Sequence, residues 1–168
     1  MYATVHSKPN LREIAIPALG CICIVLGAFM KIPFYPVPFT LQTFALYLIA
    51  LTQSPKQAFH SASCYLVLAT LGLPVFSWHA NPCWWMGKCA GYLWAFPISV
   101  YWIAKSKAQI DYFLAALSGG AFILLGGTLW LIPFVGLKLA VMHGFVCFIP
   151  CELIKILAAS SLVKWGDR

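Results

Sequence analysis

Apolar residues lie along this chain in long blocks, roughly 13–30, 37–53, 57–73, 89–104, 110–131 and 149–164, with Pro, Gly, Lys or Asp clusters between them. A bilayer core of about 30 Å calls for roughly 17–25 apolar residues per helix, and several blocks have that length. The pattern predicts an all-α integral membrane protein of six transmembrane helices, one membrane domain covering residues 1–168.

The last block needs dividing. From Gly136 to Val163 the chain is apolar enough for a single helix, yet those 28 residues would extend about 42 Å. Proline is tolerated in the first turn of a helix and not in its middle, so Pro150 marks the break. The reading is a short segment over 137–148, then a spanning helix from about Ile149, with Glu152 and Lys155 near its start.

Composition agrees with lipid as the solvent. Hydrophobic residues make up 62% of the chain and charged ones 9%, against roughly 45–50% and 25% in soluble domains. The net charge of +7 is scattered singly between the apolar blocks, which argues against nucleic acid and for retention of basic residues in cytoplasmic loops. With the N-terminus cytoplasmic, one side holds Lys8, Arg12, Lys56, Lys105, Lys107, Lys164 and Arg168, and the other Lys31, Lys88 and Lys138: seven against three. Both termini are therefore expected inside. The loops 31–38 and 74–90 and the segment after Pro133 then face outward and roof a site open to the exterior.

The first block, behind Lys8 and Arg12, has the length of a signal peptide, but further apolar blocks follow it and it is read as a retained helix. There are seven cysteines, with no CxxC pair and no zinc spacing. Cys83 and Cys89 share a loop in which a disulfide would need an oxidising compartment. His143, Cys147 and Cys151 recur every four residues, but Pro150 interrupts them and no fourth metal ligand is evident. No GxxxxGK[ST] loop is present for ATP, and no nucleophile stands beside a base.

Glu152 and Lys155, three apart on one helix face, are the leading candidates for chemistry. A charge at bilayer depth costs about 2.5–3.5 kcal/mol on insertion scales, so it signals function unless it merely ends a helix at the interface. Gln42 and Thr43 follow the prolines 33, 36 and 38 into a helix, where they either donate to a ligand or cap and bond neighbouring helices. The loop 77–92 gathers Trp78, Trp84, Trp85 and Tyr92 with His79 and Asn81. Its tryptophans suit an interfacial belt, whereas Asn81 and Tyr92 suit the orientation of a small ligand.

With these residues in view the chain resembles the BioY family, biotin-specific substrate-binding (S) components of energy-coupling-factor (ECF) transporters, over nearly its whole length. The carriers of the resemblance are PVPFTLQT at 36–43, LGLPVF at 71–76, GKCAGYL at 87–93 and FIPCELIK at 148–155. It implies the S-component fold, a bacterial inner-membrane location, and biotin as transported substrate, with no cofactor and no enzymatic activity of the chain's own. It also implies a membrane-embedded T component and two ATPase subunits as partners. The substrate-binding residues it implies are Gln42, Thr43, Asn81, Tyr92, Glu152 and Lys155.

Three departures stand out. Glu152 replaces the family's usual aspartate, GKCAGY replaces GPTGGY and so adds Lys88 and Cys89, and the asparagine that follows LPVF corresponds either to Trp78 or to Asn81. Partner docking through small residues of the first helix would use Ala15, Cys23 and Gly27, interrupted by Leu19. The rivals are an S component for thiamine or riboflavin, which PVPFTLQT and ELIK disfavour, and a small membrane enzyme or quinone-binding subunit. The latter would want a His pair or metal constellation that the blocks do not supply.

Overall fold

A computed structural model describes residues 11–76 and 80–167; Lys8, Trp78, His79 and Arg168 lie outside the described residues. The described chain is mostly helical: α1 (Leu11–Phe29), α2 (Gln42–Thr52), α3 (Pro55–Thr70), α4 (Ala90–Ser106), α5 (Tyr112–Val135), α6 (Leu137–Gly144) and α7 (Ile149–Gly166). Between α1 and α2 a small antiparallel hairpin pairs β1 (Lys31–Ile32) with β2 (Phe39–Thr40), Lys31 opposite Thr40. Short 3-10 turns at Trp84–Met86 and Val146–Phe148 lead into α4 and α7.

Local chemistry sets these boundaries. Ser54 caps α3 reciprocally with Gln57, and Asp111 caps α5 by accepting from the Phe113 amide at 2.9 Å. Pro150 sits in the first turn of α7, and the chain between α6 and that turn is broken as the proline requires. α5 runs on to Val135, past the expected end at residue 131, with Pro133 inside it. Helices packed among other helices tolerate such a proline.

The second helix differs most from expectation. It begins at Gln42 and not near residue 37, because the residue ahead of a proline is driven out of the helical region and Val37 precedes Pro38. Its 11 residues extend about 16 Å, roughly half a bilayer core. Its far end is gripped by Lys107, whose ammonium donates to the carbonyls of Ala50, Leu51 and Gln53 at 3.2, 2.7 and 2.7 Å. These are carbonyls that the helix end leaves without a backbone partner. Burial lowers the Lys107 pKa below the ordinary lysine value.

Three helical stretches, Leu11–Phe29, Tyr112–Val135 and Leu137–Gly166, are long and apolar enough to cross a membrane. Large apolar side chains such as Leu19, Leu129 and Ile154 point outward, while Ile24, Leu46, Tyr47, Tyr65 and Ile156 fill the interior. α4 packs on α3 and α5, α1 on α2 and α3, and α2 on α7. Where α4 meets α5 the backbones come close: a Cβ on Gly91 would lie 2.2 Å from Trp130 Cβ, and one on Gly127 2.0 Å from the Tyr92 ring. On α1, Ala15, Leu19 and Cys23 face outward, but Gly27 turns inward against the Leu41 carbonyl. The expected small-residue docking row is therefore not one continuous face.

Candidate ligand-binding site

Between the hairpin, α2, Phe76 and residues 81–89 ahead of α4, α4 itself, α5 and α7 lies a cavity of about 340 Å³, inside the roughly 300–1,000 Å³ range of small-molecule sites. Gln42, Thr43, Asn81, Tyr92, Glu152 and Lys155 all line it. The hairpin and the loop before α4 form much of its roof, and Phe76, Trp84, Phe96, Ile123, Leu124 and Phe148 supply apolar wall.

The polar end is a network joining α2 to α7. Lys155 Nζ donates to Glu152 Oε1 at 2.7 Å and to Thr43 Oγ1 at 2.9 Å. Thr43 Oγ1 in turn donates to Glu152 Oε1 at 2.8 Å, and the Tyr47 hydroxyl to Glu152 Oε2 at 2.6 Å. Glu152 is 5% exposed and Lys155 9% exposed. Taking two charges out of water is costly, and their mutual pairing plus the added hydroxyl donors is what offsets that cost.

Capacity is left over for a ligand. A carboxylate has about four lone-pair positions, of which three are filled here, and an ammonium has three donors, of which two are used. Beside them the buried Gln42 side-chain nitrogen has no partner at hydrogen-bond distance among the described residues. A buried donor left unpaired costs about 1–3 kcal/mol. The site thus presents one acceptor position on Glu152, one N–H of Lys155 and the two amide N–H groups of Gln42 to whatever fills it.

The other expected residues contribute differently. Tyr92 donates its hydroxyl to the Gly144 carbonyl at 2.6 Å, tying α4 to the end of α6, while its ring faces Phe148 at a centroid distance of 6.3 Å. Asn81 stands at the exposed rim, its carbonyl accepting from the Trp84 amide. Trp84, expected in an interfacial belt, is buried in the cavity wall and donates from Nε1 to Thr70 Oγ1 at 3.0 Å. Cys83 and Cys89 are free thiols, and no group of three His, Cys, Asp or Glu side chains converges among the described residues.

Sequence reading missed Tyr47 and Phe148. Tyr47 follows Thr43 by one helical turn and so shares its face, the one signal available. The hairpin meets the site through aromatic rings: Phe34 tilted against Phe39 at 4.8 Å, and Phe39 stacked on Phe148 at 4.3 Å. Lys88, from the loop before α4, reaches Tyr35 at the hairpin tip, with Nζ 3.4 Å from the hydroxyl and 4.9 Å from the ring centre.

Comparison with known proteins gives one consistent answer. A family model described as the BioY family matches residues 3–167. A protein named probable biotin transporter BioY from Rickettsia prowazekii is 33% identical, over 92% of this chain and 83% of its own length. The biotin transporter BioY of Thermotoga maritima is 30% identical, over 89% and 92%. Among solved structures, the S-component for biotin from an ECF-type ABC transporter superposes with a TM-score of 0.84 at 23% identity, covering 96% of both chains.

Proposed function

Because this chain belongs to the BioY family, we propose that it takes up biotin, binding it from the outer side as the S component of an ECF-type importer. The observation that carries the reading is the buried Glu152–Lys155–Thr43–Tyr47 network with the unpaired Gln42 amide nitrogen, set at one end of an apolar, aromatic-walled cavity. The ureido ring of biotin offers two N–H donors and one carbonyl acceptor. Its N–H fits the open position on Glu152, and its carbonyl accepts from Lys155 and Gln42. The thioether ring and chain then lie against Trp84, Phe148 and the Tyr92 ring, where apolar burial favours them by about 25 cal/mol per Å².

The chain performs no chemistry on its cargo, and the energy for transport comes from a T component and two ATPase subunits. The same reading puts the chain in a bacterial inner membrane with six spanning segments, and the seven-to-three division of basic residues supports both termini inside. Cysteine accessibility tests the orientation: in a background lacking native cysteines, Asn81→Cys labels from outside and Asp167→Cys does not. The reverse pattern inverts the topology.

The functional test is binding of labelled biotin to purified protein in detergent, beside thiamine and riboflavin, for the wild type, Lys155→Met and Glu152→Gln. Helicity and monodispersity are checked in parallel. Biotin binds, the other vitamins do not, and each variant loses well over tenfold, since removing one partner of a buried pair strands the other. Folded variants that keep affinity within about threefold, a change under roughly 0.7 kcal/mol, would remove the pair from the site.

A further inference from the structure

The charge lining the cavity does not balance. Lys31, Lys88 and Lys155 contribute three positive charges and Glu152 one negative, a net of +2. Lys155 is neutralised by Glu152 at the buried end. The chain has only four carboxylate side chains, and the other three are engaged elsewhere or lie outside the lining. Asp111 pairs with Lys164, Asp167 accepts from Tyr112, and Glu13 is in the first turn of α1.

Lys88 therefore stands at the exposed rim with no carboxylate partner among the described residues. The Tyr35 hydroxyl and ring contact its ammonium near the hairpin tip, using one of its three donors. Lys31 is exposed on β1 and lines the same cavity. An exposed cation without a carboxylate partner, lining the same cavity as the buried Glu152–Lys155 pair, is suited to an anionic group on the ligand.

We propose that Lys88, supported by Lys31, forms a carboxylate-binding subsite at the mouth of the cavity, selecting a ligand with a polar ring at one end and one anionic group at the other. The proposal rests on the biotin reading, and it assigns the valerate carboxylate to Lys88. Tyr35 is then the positioning residue that orients the ammonium, so engagement of the carboxylate also draws the hairpin to the loop before α4.

The test measures affinity for biotin and for its neutral primary amide in wild type, Lys88→Met, Lys88→Arg, Lys31→Met and, as a control, Lys138→Met on the exposed face of α6. Wild type prefers biotin about fivefold, the equivalent of about 1 kcal/mol for an exposed ion pair. Lys88→Met abolishes that preference by weakening biotin alone, Lys88→Arg keeps it, Lys31→Met reduces it, and Lys138→Met leaves it unchanged. Raising salt from 0.1 to 1 M diminishes the preference as the Debye length shortens from about 10 to 3 Å. Equal affinity of the wild type for the acid and the amide, or equal weakening of both by Lys88→Met, overturns the subsite while leaving the biotin reading intact. Binding of neither ligand to the wild type overturns the biotin reading and the subsite with it.

Discussion

The Tyr47 hydroxyl on α2 donates to Glu152 Oε2 on α7 at 2.6 Å, leaving the carboxylate held on both oxygens. That hydroxyl has room only because residue 120 is glycine: a Cβ there would come within 2.6 Å of it. Tyr47→Phe removes a bond to a charged acceptor, the class worth about 1.5–3 kcal/mol. Biotin affinity is expected to fall about tenfold or more with helicity unchanged, read by titration of labelled ligand. An unchanged affinity would mean that Lys155 and Thr43 alone orient Glu152.

Gly127→Ala is expected to damage both stability and binding. The new methyl would lie 2.0 Å from the Tyr92 ring, which must then shift from its place in the cavity wall and strain its hydrogen bond to the Gly144 carbonyl. Overpacking of this kind costs typically about 1–3 kcal/mol. Thermal unfolding in detergent and biotin titration of the same sample check it. A variant that melts and binds like the wild type would show that α4 and α5 can separate at this point without cost.

The hairpin over residues 31–40 should respond to ligand. It rests on the site through Phe39 and Phe148 and on the opposite loop through Tyr35 and Lys88. Amide exchange in this segment slows when biotin is added, and Phe39→Ala speeds dissociation more than association. Exchange that is the same with and without saturating biotin would make the hairpin a connector only.

Acid should loosen the end of the molecule where α5 begins and α7 finishes. The Lys164 ammonium hydrogen-bonded to Asp111, helped by the Phe113 amide, holds the Asp111 carboxyl below its ordinary value of 3.8. A depressed carboxylate contributes stability that is present above the ordinary value and lost as pH falls through the lower, folded one. Asp111→Asn keeps a capping side chain and removes the charge, so its melting temperature changes less between pH 5 and pH 3 than the wild type's. Identical pH dependence in the two proteins would rule out this pair as a contributor.

The polar end of the cavity was legible in the sequence because charge inside an apolar block is expensive, and Glu152 and Lys155 stand out for that reason alone. Gln42 and Thr43 were legible through the prolines ahead of them. Tyr47 was not, since an aromatic in an apolar block has the same pattern whether it packs or donates. Trp84 was misplaced for the complementary reason: a tryptophan near a block boundary reads as interfacial until the Thr70 hydroxyl is seen to accept from it. The start of α2 was set too early because hydropathy counts Val37 and Phe39 as helix, whereas backbone sterics at Pro38 decide the matter. Gly27 shared a spacing with Ala15 and Cys23, but helical drift over three turns carried it to the inner face.

The clasp that Lys107 makes on the last carbonyls of α2 has a mechanical consequence. α2 is a stiff rod of about 16 Å with Gln42 and Thr43 at one tip and the three carbonyls gripped by Lys107 at the other. A displacement of the turn carrying Lys107 cannot be absorbed along so short a rod, and it arrives at Thr43 and Tyr47 as a shift of the donors that hold Glu152. Force applied at one end of this protein is felt as altered hydrogen-bond geometry at the other.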